Sequence, residues 1–163
     1  MRRNGFSVIE LLVAVLIIGI IAAIAMGNFF NAVHRAKQKR TMADIRGIAV
    51  AWESRAVDVK QYNAAGAFSM PPDILTFSQV STMLIPTYIR DMPRFDGWNH
   101  LLDFRTDQPI GTGSAQFYVI RSPGREGTFQ SSYSDGATTD YDCDIVYSNG
   151  QFIVWPEGVQ QQK

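Results

Sequence analysis

The sequence predicts an α+β protein in which one long N-terminal helix, membrane-spanning in its first half, packs on a small antiparallel β-sheet. Three observations carry this expectation. Residues 6–26 form an almost wholly apolar run. Met42, Ile45, Ala49, Trp52, Ala56 and Val59 recur at steps of three and four, the stripe of an amphipathic helix. Late in the chain, two short apolar segments flank Ser148-Asn149-Gly150, a strong hairpin signal.

The N-terminus comes first. Residues 1–5 read Met-Arg-Arg-Asn-Gly, short, basic and polar. The apolar run that follows spans roughly 30 Å at about 1.5 Å per residue, enough to cross a bilayer. Two arginines before it favour a cytoplasmic N-terminus. A secretory signal peptide is one rival, because Ala22-Ala23-Ile24-Ala25 mimics a cleavage site. A plain anchor is another. Glu10 separates these readings. A carboxylate at membrane depth costs on the order of 3 kcal/mol, so its presence asks for a partner. A plain anchor gains nothing from it. A subunit docking beside a second copy gains if that copy presents a positive charge.

Gly5-Phe6-Ser7-Val8-Ile9-Glu10-Leu11-Leu12-Val13 resembles the prepilin cleavage and assembly motif shared by type IV pilins and type II secretion pseudopilins. The resemblance implies that a prepilin peptidase cuts after Gly5 and that Phe6 becomes N-methylated. It also implies that Glu10 guides docking by pairing with a neighbour's Phe6 amine. A layout follows: leader 1–5, membrane and assembly helix 6–27, amphipathic continuation 28–62, and a globular head 63–163.

Asn28-Phe29-Phe30-Asn31 marks a polar exit from the membrane segment. Opposite the stripe beyond it lie Arg35, Lys39, Arg40, Asp44, Arg46, Glu53 and Arg55. Gly66, Pro71 and Pro72 then break the pattern into a loop. Residues 78–84 read as a short helix capped by Ser78 and stopped before Pro86. Strands are expected at 101–105, 116–121, 144–147 and 151–155, with Gln160-Gln161-Gln162-Lys163 as a polar tail.

The head narrows the resemblance. Tyr88-Ile89-Arg90-Asp91-Met92-Pro93 followed by Asp96-Gly97-Trp98-Asn99 is similar to a region of the major type II secretion pseudopilin that carries Asp-Pro-Trp-Gly-Asn. Tyr118-Val119-Ile120-Arg121-Ser122-Pro123-Gly124-Arg125-Glu126-Gly127 resembles that family's strand and Ser-x-Gly-x-Asp-Gly turn, and Asp144-Ile145 its Asp-Ile before the last hairpin. Two departures stand out: Gly97 replaces proline, and the loop from Gly127 to Asp144 is long. The resemblance implies calcium in that loop, held by Asp135, Asp140, Asp142 and Asp144. On residues alone, Asp140-x-Asp142-x-Asp144 supplies carboxylates at steps of two, which suits either a calcium ion or a solvated acidic loop.

Charge and chemistry exclude other classes. Residues 34–60 hold seven Lys/Arg against three Asp/Glu, and residues 61–163 six against eleven. Neither segment carries the strong basic patch of a nucleic-acid binder. The single cysteine, Cys143, cannot close an intramolecular disulfide and lacks a paired base. That also departs from typical type IV pilins, which close a C-terminal loop with a disulfide. No nucleophile elbow, phosphate loop or zinc motif occurs, so no enzyme is expected. What the resemblance implies is the major pseudopilin of a type II secretion system. It would be single-pass in the bacterial inner membrane with its head in the periplasm, polymerising into a periplasmic filament that drives export of folded proteins. Its partners would be itself, the prepilin peptidase, the inner-membrane assembly platform and minor pseudopilins. A type IV or minor pilin of a surface filament is the alternative. A membrane-anchored binding module that never polymerises is the reading from a different class.

Overall fold

The structure, a computed structural model, describes residues 5–59, 70–109 and 115–161. The chain divides into two compact units, Met1–Arg35 and Ala36–Lys163. Helix α1 (Val8–Val59) begins in the first and ends in the second. In the first unit every side chain from Phe6 to Phe30 is exposed. By length and composition this helix is able to cross a membrane.

In the second unit the expected stripe is the buried face of α1. Ile45, Ala49, Trp52 and Ala56 are buried together with Ile48, and Met42 packs partly against them. The side chain of Val59 and the expected helix end near Tyr62 lie outside the described residues. Helix α2 (Phe77–Leu84) starts one residue earlier than expected, and its N-cap is Thr76 rather than Ser78. The Thr76 hydroxyl accepts the Gln79 N–H at 3.3 Å, and the Gln79 side chain accepts the Thr76 N–H at 2.8 Å. This capping box satisfies two backbone donors that the first helical turn leaves free. Thr76→Ala is expected to cost about 1 kcal/mol, read as a lower melting temperature of the full chain in detergent.

Among the described residues six strands form one sheet: β1 (Asp73–Leu75), β2 (Asp103–Thr106), β3 (Tyr118–Ser122), β4 (Gly136–Asp140), β5 (Ile145–Ser148) and β6 (Gln151–Gln161), in the order β1-β2-β3-β5-β6-β4. All neighbours are antiparallel except β4 and β6, so the sheet is mixed rather than purely antiparallel. Phe104, Tyr118, Ile120, Ile145 and Tyr147 face the helix, where Trp52 stacks on Tyr118 with centroids 4.9 Å apart. Val119, Val146 and Val154 form a second cluster with Met70, Tyr133 and Ile153. Strands β3 and β5 are therefore buried on both faces, and the polar side chains at their ends, Arg121, Ser122 and Ser148, are each hydrogen-bonded.

The hairpin between β5 and β6 turns through Asn149 and Gly150, both at positive φ, as the Asn-Gly pair requires. Of the expected polar tail, Gln160 and Gln161 end β6, and residues 162–163 lie outside the described residues. Gln160 is buried, its carbonyl oxygen accepting from Gln38 of α1 at 3.0 Å while its amide donates to the Thr138 carbonyl at 2.8 Å. A glutamine that satisfies a helix and an edge strand at once is structural, not solvated.

Candidate functional site

Gly5 and Phe6 precede α1, and Phe6 is 81% exposed. A Cβ added to Gly5 would meet no atom within 4 Å, so packing does not demand glycine there. Glu10 sits in the first turn of α1, where a negative charge suits the helix N-terminus. Its carboxylate accepts the Ser7 N–H at 2.9 Å and so caps the helix start. The structure thus brings Gly5, Phe6 and Glu10 onto one exposed helical end.

The turn around Asp96 is a second built feature. Asp96 is buried. One carboxylate oxygen accepts the N–H groups of Trp98 and His100, both at 2.8 Å, and the other accepts the Ser122 hydroxyl at 2.7 Å. The sequence clue was an aspartate followed by glycine, an Asx-turn opening. The next residue, Gly97, donates its N–H to Thr41 Oγ1 at 2.8 Å. A proline there would lack that donor. A Cβ at Gly97 would lie 2.5 Å from the Lys37 carbonyl oxygen, so the turn touches the helix backbone. The departure from proline thus has a physical reason in this chain. Gly97→Ala is expected to destabilise the head by about 2 kcal/mol through overpacking, measured by thermal unfolding against wild type.

The acidic residues do not converge. Asp135 is exposed, and Asp140 lies at the end of β4 rather than in a loop. Asp140 Oδ1 accepts the Asp142 N–H at 3.0 Å. Both Asp142 oxygens take the Arg125 guanidinium, at 2.7 and 2.6 Å. Asp144 is buried, and one oxygen accepts the Tyr133 hydroxyl at 2.5 Å and the Gln130 N–H at 3.2 Å. Its other oxygen is buried without a hydrogen bond. Among the described residues no three His, Cys, Asp or Glu side chains gather into a metal-holding group. The four aspartates named for calcium are thus divided among an exposed position, a strand end, an ion pair with Arg125 and a buried hydrogen bond to Tyr133. Cys143 is half-buried, and its sulfur accepts from the Gln130 side-chain amide at 4.0 Å.

Behind Asp144 runs a polar chain. Arg121 donates to Tyr133 Oη at 2.6 Å and to Asp103 at 2.5 Å, with its guanidinium 4.0 Å from the Phe129 ring centre. Burial, reinforced by the Asp144 hydrogen bond, pushes the Tyr133 phenol up to about 12. The folded state therefore keeps a proton that the unfolded chain loses near the ordinary value of 10.0. Stability is expected to fall as pH rises from about 10 towards 12, and Tyr133→Phe to flatten that fall in alkaline unfolding curves.

Residues 1–26 match the family model for the prokaryotic N-terminal methylation motif. The chain is 37% identical over 62 residues to the type IV major pilin protein PilA of Myxococcus xanthus (strain DK1622), a match spanning 38% of this chain and 28% of that protein. It is 24% identical over 153 residues to the type II secretion system core protein G of Dickeya chrysanthemi, spanning 88% of this chain and 85% of that one. No solved structure matches. Together with the long helix and the sheet, these likenesses make the chain pilin-like.

Proposed function

We propose that this chain is the major pseudopilin of a type II secretion system, a structural subunit that polymerises into a periplasmic filament. The observation that carries the reading is coverage. The likeness to the secretion core protein takes in 88% of the chain, whereas the likeness to the Myxococcus pilin takes in 38%. Processing by a prepilin peptidase after Gly5 leaves an amine on Phe6, next to the Ser7 N–H that Glu10 already holds. The carboxylate then has two calls on it: its own helix start and the amine of an adjoining subunit. Docking pairs the two charges in a medium where neither is solvated, so association is strongest in the membrane. The exposed apolar side chains of residues 6–30 supply the packing surface of the filament core.

The subunit waits in the inner membrane with its N-terminus cytoplasmic and its head periplasmic. It is added to the filament by the assembly platform, with minor pseudopilins as partners. No chemistry is assigned to the head. Deletion of the gene is expected to stop export of folded proteins while leaving surface filaments intact. Normal export with lost surface filaments would instead establish the type IV pilin reading, which the higher identity to the Myxococcus pilin favours.

A further inference from the structure

We infer that two arginines, Arg125 and Arg121, take the place of a divalent cation in the turn that carries Asp140, Asp142 and Asp144, so that the head folds independently of calcium. The turn is closed from one side by the segment after β3. Arg125 forms a two-pronged pair with Asp142, and its own N–H donates to the Tyr141 carbonyl at 2.9 Å. Gly124, at positive φ, lies flat against the same turn: a Cβ there would sit 2.6 Å from the Cys143 carbonyl and 2.9 Å from that of Tyr141. Two carbonyls and both Asp142 oxygens are thus covered by residues 124 and 125.

Calcium needs six to eight oxygens, and four of those near this turn are already covered, while Asp140 Oδ1 accepts the Asp142 N–H. A calcium ion would have to expel a tethered guanidinium from a planar, two-bond match and then sit beside its charge. The second acid is met indirectly and at one oxygen, its other oxygen being buried without a hydrogen bond. Asp144 accepts from the Tyr133 hydroxyl, which in turn accepts from Arg121. Both Asp142 and Arg125 side chains are 25% exposed, so solvent screens the pair, but the backbone bond at Tyr141 holds its geometry.

This inference stands apart from the filament reading, because its test reads the stability of one chain. Full-length protein in detergent is melted with tryptophan fluorescence in the presence of calcium and again with a chelator. The wild type is expected to melt at the same temperature in both. Arg125→Gln is expected to melt at least about 3 °C lower in both. Arg125→Lys, which keeps the charge but not the fork, falls between them, and it carries the test if the glutamine variant does not fold. A wild-type melting temperature that drops on chelation and recovers with calcium would overturn the inference, as would an Arg125→Gln variant that melts like the wild type.

Discussion

Glu10→Ala is expected to abolish filament formation while leaving the head folded. An unpaired charge at membrane depth costs on the order of 3 kcal/mol, and every 1.4 kcal/mol is a factor of ten, so each docking step weakens by about a hundredfold. A polymer multiplies that loss at every addition. Glu10→Gln should fail equally, because the amide keeps the shape but cannot neutralise an amine. Glu10→Asp should retain partial assembly. The hydrogen bond of Glu10 to Ser7 lies within the first helical turn, so the melting temperature of the head should not move. Reconstitution in vesicles, with filaments counted by electron microscopy, separates the variants. Normal filaments from Glu10→Ala would reduce this helix to an anchor.

The largest effect on stability is expected at Trp52. Its side chain is 6% exposed and sits between the helix and the sheet, stacked on Tyr118 and tilted against Phe104 at 6.3 Å. Trp52→Ala removes the ring and leaves a void that the β2–β3 floor cannot fill, at a cost of about 3–5 kcal/mol. Such a loss takes much of the stability of a domain this size and lowers its melting temperature by about 10 °C or more. Trp52→Phe should recover part of the difference, because it keeps an aromatic partner for Tyr118. An alanine variant melting within a degree or two of wild type would mean that the stripe is not the core.

Legibility in the sequence followed the strength of the physical pattern. The helix was plain because Ile45, Ala49, Trp52 and Ala56 keep one period over about three turns. The Asn149-Gly150 turn was plain because only such pairs accept two positive φ values in succession. Strand β4 was not foreseen: Gly-Ala-Thr-Thr-Asp offers no alternation of apolar residues, and its place comes from pairing with β6 and from Gln160. Strand β1 is three residues at a sheet edge, too short to leave a pattern. Asp96 and Arg125 were hidden for another reason. Their roles depend on partners 26 and 17 residues away, and no local spacing announces such pairs. The motif at Gly5, Phe6 and Glu10 was legible because packing explains neither the glycine nor the carboxylate.

The most direct test of the account is the mass of the mature chain, isolated from cells that contain a prepilin peptidase. The account predicts a polypeptide that begins at Phe6 and carries one methyl group on its terminal nitrogen. A chain that still begins at Met1, or one cut after Ala25, would contradict it.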